Sequence, residues 1–360
     1  MRGAENLLEV FCELFPEADI YTLIHKPGST SKVIDSRRIH TSFLQKIPGI
    51  EKHYRKLLPL LPWATKSLKI EDDVDLVLSS SHCVIKGVKK PTKSLHLCYI
   101  HSPMRYIYDQ FHVYFGSHAP LYQQIGASCF RTFLKIWDEE SNLNVDKFIA
   151  NSNFIKKRIQ KYYLRDSDVI FPFVNLTDFE SVQKKEVKKE DFYIVLSAFA
   201  PNKRVDLSVK AFNESGKKLK IIGTGQLEGQ LKAMANKNIE FLGSVSREEL
   251  VKQLAAAKAL IFPGVEDFGI TPLEALACGT PVIALGTGGV LDTLNEDVAV
   301  FFQKPTVIDI NHAVTYFEQV CDKFDRLTLI KRSQEFSKER FKREIMDCVK
   351  RELETWQKKY

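Results

Sequence analysis

The chain has 360 residues, a net charge of +7, 44% apolar and 27% charged residues, a composition that suggests two cores and excludes a disordered chain. Seven scattered cysteines, odd in number and never spaced C-x-x-C, argue for thiols in a reducing compartment and against a metal cage. No signal peptide is visible and no apolar run is long enough to span a bilayer, while the positive charge favours anionic partners such as phosphorylated ligands or lipid surfaces.

In chain order, the first signal is a helix. Leu7, Val10, Phe11, Leu14 and Phe15 recur at steps of three and four until Pro16 ends the pattern. Short apolar runs at 17–23, 74–81, 94–100, 146–152 and 167–174 then read as strands. Between the first two lies a basic segment, 44–70, with six Lys or Arg and the apolar residues Leu57, Leu58, Leu60, Leu61 and Trp63. Such a segment suits an anionic membrane surface, and a packed core accounts for it equally well. The polar stretch SVQKKEVKKED, 181–191, lacks periodicity and reads as a linker. Beyond it, runs at 192–198, 218–223, 239–243, 258–264, 280–285 and 298–302 look like buried strands separated by helical patterns. Residues 337–360 read as a long terminal helix. Strand–helix alternation of this kind predicts parallel, doubly wound α/β sheets.

In such sheets ligands bind beyond the carboxyl ends of the strands, so the residues just after each strand carry the chemistry. Lys203 and Arg204 follow one strand and suit a phosphate or pyrophosphate, although a solvated turn is the simpler reading. Gly223 and Gly225 follow the next, in a GTGQLEG stretch that misses the dinucleotide fingerprint by one residue and reads as a tight turn. The richest stretch is VEDFGITPLEALACGTPVIA. There Thr271 is expected to cap a helix, with Pro272 in its first turn and Glu274 completing a capping box. Capping leaves Glu266, Phe268 and Gly269 unexplained; two carboxylates near a helix N-terminus can hold sugar hydroxyls while backbone N–H groups hold a phosphate. His101 and Arg105 follow a strand of the first half; His101 is either a substrate contact or a satisfied buried histidine, and no second histidine stands at zinc spacing. The acidic run 71–75 precedes a strand and reads as a solvated entry.

These residues resemble a known family. EDFGITPLEALACGTPVIALGTGGVLDTL is similar to the signature of glycosyltransferase family 4, with paired glutamates (here Glu266 and Glu274), a G-x-P-V-I-A run and a Gly288–Gly289 turn. PNKRVDLSVKAFN resembles the family's phosphate-binding lysine loop. DLVLSSSHCVIKGV, YIHSPMRYIYD and ANSNFIKKRIQKYYLRDSDVIFPFV are similar to segments of O-antigen mannosyltransferases. Two departures stand out: Ala198 where many members carry Arg, and Pro172-Phe173-Val174 where P-P-V is usual.

The resemblance implies a GT-B fold of two Rossmann-like domains facing a cleft: 1–175 on the acceptor side, 176–337 for the nucleotide sugar, and 338–360 as a helix crossing back. It implies a retaining hexosyltransferase, a mannosyltransferase of polysaccharide synthesis, using GDP-mannose or a UDP-sugar and a glycan or lipid-linked acceptor. Glu274 would bind the donor ribose and Glu266 the transferred sugar. Lys203 with Arg204 would neutralise the diphosphate, helped by Gly225 and by the backbone of Phe268, Gly269, Ile270 and Thr271. His101 would lie near the sugar, with Gly3 and Arg105 on the acceptor side. No cofactor, metal or nucleic acid is implied, and the expected location is cytoplasmic, peripheral on the inner face of the membrane. The alternative is a truncated or non-catalytic relative acting as a partner in polysaccharide assembly. A nicotinamide enzyme is disfavoured by the missed glycine spacing and by the lack of an acidic residue placed for a ribose. The opening Met1-Arg2-Gly3-Ala4-Glu5 resembles the second half of a Gly-rich loop that relatives place after a first strand, so a preceding strand is expected to be missing.

Overall fold

The computed structural model describes residues 3–109, 121–185 and 187–358. The chain forms two compact units, one of Met1–Ile170 with Lys342–Tyr360 and one of Phe171–Phe341.

In the first unit the opening periodicity becomes the helix Gly3–Leu14, which buries Leu7, Val10, Phe11 and Cys12. Strands β1 (Ile20–Thr22) and β2 (Ile39–Thr41) pair in parallel as a two-stranded sheet. β2 was not expected: three residues between Arg38 and Ser42, with Ile39 as the one apolar side chain, leave no apolar run to read. A second sheet, all parallel, has the order β3 (Leu76–Ser81), β4 (Leu95–Ile100), β5 (Lys147–Ala150), β6 (Ser167–Val169). β4 is buried at every residue, as a central parallel strand covered on both faces must be. It carries His96 into the core, where Nδ1 meets Asn144 O at 2.7 Å and Nε2 meets Ser79 Oγ at 2.8 Å. The terminal helix Lys338–Gln357 packs its later part in this unit: Lys342 pairs with Glu13 at 2.7 Å, and Trp356 Nε1 donates to Lys93 O at 3.1 Å.

The second unit holds six parallel strands: β7 (Tyr193–Leu196), β8 (Leu219–Ile222), β9 (Ile239–Gly243), β10 (Leu260–Phe262), β11 (Val282–Leu285) and β12 (Ala299–Phe302). Their order is β12-β11-β10-β7-β8-β9, the doubly wound Rossmann order. Alternate residues feed opposite cores: Phe192 and Ile194 face one, Tyr193 and Val195 the other. The strand order reverses between β7 and β10, so the loops after these two strands flank the switch point, where such sheets bind ligands.

The stretch 181–191 is not a linker but an integral part of this second unit. Lys189 Nζ donates to Ala255 O at 3.0 Å and to Thr280 Oγ1 at 2.6 Å, and Glu190 N donates to Ala256 O at 2.7 Å. Arg326 donates to the carbonyls of Val182, Gln183 and Lys185. Polar composition misled here because Lys189 and the backbone of this stretch find their partners in groups distant in sequence. No helix among the described residues is long and apolar enough to cross a membrane.

Candidate functional site

The residues after β7 turn sharply. Pro201–Lys203 make one 3-10 turn, and Arg204 then takes a left-handed conformation with φ 51° before the helix Val205–Ser215. A non-glycine residue held there is strained by on the order of 1 kcal/mol, and such strain tends to collect at functional sites. The loop after β8 is pressed onto the same region. A Cβ on Gly225, whose φ is +158°, would lie 2.8 Å from Phe199 N and O, so the glycine is required by close backbone approach whatever else it does.

The loop after β10 touches the loop after β7: a Cβ on Gly264 would lie 2.9 Å from Lys203 O. Here Lys203 and Glu266 form an ion pair, and both side chains stay partly open, at 25% and 22% exposure. Glu266 also bridges Gly288, and Gly289 N donates to Glu266 O at 2.9 Å. A Cβ on Gly289 would lie 2.1 Å from Asp267 O, so the Gly-Gly pair lets the loop after β11 clamp the backbone that carries Glu266. Phe268 turns its ring inward, 4% exposed, against Phe171 and Phe336.

The helix that follows is Ile270–Ala277, and its cap is Gly269 at φ 93°, not Thr271. The capping box is therefore absent. The chain enters the helix two residues earlier than the Thr-Pro signal indicates, since the positive φ available to glycine lets the turn close there. No side chain caps this N-terminus, which leaves its first N–H groups to water or an anion. Glu274 instead meets Arg247, whose Nη1 donates to Glu274 Oε1 at 2.6 Å. The Glu274 side chain is 14% exposed; burial raises its pKa, and Arg247 opposes that shift. Sequence reading did not single out Arg247, although it stands just after β9 in a Ser-x-x-Glu start, where Ser246 Oγ accepts from Glu249 N at 3.2 Å.

The remaining expected residues belong to the first unit. His101 follows β4, and its Nε2 lies 2.8 Å from Ser80 Oγ, with the rings of Tyr99 and His82 beside it. The residue is half-buried overall, but its imidazole is packed deeply enough that loss of water lowers its pKa to about 3. It is thus a neutral ring. Arg105 opens the short helix Arg105–Tyr108, and Gly3 is exposed at the start of the first helix. Met1 and Arg2 of the opening loop lie outside the described residues. Asp168, Cys348 and Glu352 converge, but Lys147 at 2.9 Å and Arg351 already pair with Asp168.

Residues 177–333 match the family model "Glycosyl transferases group 1", a span that contains Lys203, Arg204, Gly225, Glu266 and Glu274. The chain is 27% identical over 269 residues to the Alpha-1,3/1,6-mannosyltransferase ALG2 of Saccharomyces cerevisiae, covering 57% of this chain and 54% of that one. It is 33% identical over 141 residues to the O-antigen chain mannosyltransferase RfbU of Salmonella typhimurium, covering 36% of this chain and 39% of that one. The chain thus spans about half the length, or less, of these curated relatives. Its structure is similar to that of a sucrose-phosphate synthase from Thermosynechococcus elongatus, with a TM-score of 0.72 and 18% identity over 97% of this chain and 92% of that one. Two Rossmann-like parallel-sheet units and this likeness make the fold GT-B, that of a large class of glycosyltransferases.

Proposed function

We propose that the protein is a retaining glycosyltransferase that moves a hexose, mannose, from a nucleotide diphosphate sugar to a glycan or lipid-linked acceptor. The observation that carries this reading is the pairing of Lys203 with Glu266 at the switch point of the second sheet, within the span that matches the group 1 family model. The names of the yeast and Salmonella relatives favour mannose. In this reading Lys203 exchanges Glu266 for the donor diphosphate, and Glu266, released, accepts hydrogen bonds from sugar hydroxyls. Arg204 and the uncapped N-terminus of Ile270–Ala277 add positive charge where the leaving diphosphate gains negative charge. Two cations and a helix terminus then do what a metal does elsewhere, so neither metal nor cofactor is required. Glu274 takes the ribose. His101, neutral, can accept or donate one hydrogen bond at the sugar without adding charge, and Gly3 and Arg105 serve the acceptor.

Titration calorimetry with GDP-mannose, UDP-glucose, GDP and UDP tests the reading. At least one nucleotide sugar should bind and, with a lipid-linked or glycan acceptor, release its nucleoside diphosphate; failure of all four to bind sinks it.

A lipid-linked acceptor would place the enzyme at the inner face of the cell membrane. Support comes from the 44–70 segment: Trp63 is 52% exposed and stacks on Phe133 at 5.4 Å, with Ile136 also 52% exposed. Flotation with phosphatidylglycerol vesicles should recover the protein, and equal recovery with neutral phosphatidylcholine vesicles would remove the electrostatic part of this reading.

A further inference from the structure

The two glutamates after β10 are held in different ways. Glu266 has one cation, Lys203, on a partly open side chain, a contact that an incoming diphosphate can replace. Glu274 meets a cation that is itself braced on three sides. Arg247 Nε donates to Asp178 Oδ2 at 2.9 Å while Nη1 donates to Glu274 Oε1 at 2.6 Å. Its guanidinium carbon lies 4.9 Å from the ring centre of Phe179, which is fully buried. Asp178 is fixed in turn by Asn175, whose Nδ2 donates to Oδ1 at 2.9 Å. The result is a chain of side chains, Asn175 to Asp178 to Arg247 to Glu274, that ends on one carboxylate oxygen. Oε2 of Glu274 has no hydrogen-bond partner among the described residues.

We infer that Arg247 is a positioning residue that fixes Glu274 through Oε1 and presents Oε2 to the donor's ribose hydroxyls. The inference rests on the donor reading of Glu274 given above. A carboxylate removed from water is costly to keep ionised without a partner, and an unheld one samples several rotamers. Arg247 removes both costs before the donor arrives. The planar guanidinium suits the task better than an ammonium, since one face lies on Phe179 while its edge bonds two carboxylates. Burial raises the Glu274 pKa and Arg247 lowers it, so loss of Arg247 leaves only raising influences.

Calorimetry on the full chain with three variants tests this, using GDP, UDP and, for whichever of them binds, its analogue lacking both ribose hydroxyls. Arg247→Met should weaken whichever of GDP and UDP the unaltered protein binds by about 10- to 100-fold, the range of a lost hydrogen bond to a charged group. The loss should grow as pH falls from 8 to 6, which a general loosening of the fold would not produce. Arg247→Lys should recover part of the affinity. The analogue lacking hydroxyls should bind the Met variant and the unaltered protein within about twofold. Equal losses for the analogue and the parent nucleotide would overturn the inference, as would full affinity in the Met variant. If the Met variant does not fold, the Lys variant carries the same contrast at smaller size. Glu274→Gln separates the two levels: if it leaves nucleotide binding unchanged, the donor reading of Glu274 fails, whereas weakening by Glu274→Gln alone fails only Arg247.

Discussion

At the scale of single residues, the ion pairs decide how the site behaves when empty. Lys203→Met should weaken nucleoside diphosphate binding at least tenfold, by about 1.5–3 kcal/mol, since a charge-assisted contact to phosphate is lost. Glu266→Gln should do the reverse, leaving nucleoside diphosphate binding equal or tighter because Lys203 is freed, while the intact nucleotide sugar binds more weakly. Calorimetry on the two variants checks this, and parallel losses in both would refute the exchange of partners. His96 makes a separate prediction. Burial lowers its pKa from 6.5 to about 4, so below pH 6.5 the unfolded chain takes up a proton that the folded chain refuses. Its contribution to stability is complete above about pH 6.5 and is lost as pH falls toward 4, by about 3 kcal/mol in all. Urea midpoints at pH 7.5 and 4.5 should therefore differ less in His96→Gln than in the unaltered protein.

At the scale of elements, the loop after β10, which carries Glu266 and leads into the helix of Glu274, is shaped by glycines for two distinct reasons. Gly269 needs its left-handed φ of +93° but has room, with the nearest atom to an added Cβ at 3.6 Å. Gly269→Ala should then cost about 1–2 kcal/mol, the conformational penalty alone. Gly289 needs space, since a Cβ there would lie 2.1 Å from Asp267 O and 2.5 Å from Phe268 Cα. Gly289→Ala must push the β10 loop aside, so it should destabilise more than Gly269→Ala and also weaken nucleotide sugar binding through Glu266. Denaturant titrations that rank the two equally would contradict this. The Thr-Pro-x-Glu pattern shows why local signals mislead at this spot: a capping box and a glycine entry two residues earlier occupy the same stretch, and only the fold chooses between them.

At the scale of the molecule, the strand order of the second unit concentrates the chemistry. β7 and β10 are neighbours, so the loops bearing Lys203 and Glu266 meet although 63 positions separate them. Hydrogen exchange with and without the bound nucleotide should show protection concentrated in 199–205 and 264–275; protection confined to other loops would relocate the site. The alternation of strands and helices, eleven of the twelve strands, the terminal helix and the spacing of Glu266 and Glu274 were legible in the sequence, because burial in a parallel sheet writes short apolar runs bounded by glycine or proline. β2 was not legible, being three residues without an apolar run, and neither was the packing of 181–191. What the sequence by itself determined is which residue types stand after each strand. What only the tertiary structure decided is their partners and charge states: Glu274 with Arg247 across 27 positions, Lys203 with Glu266, and a neutral His101. Periodicity is a property of neighbours along the chain, whereas ion pairing and desolvation depend on distance in space, which strand order sets.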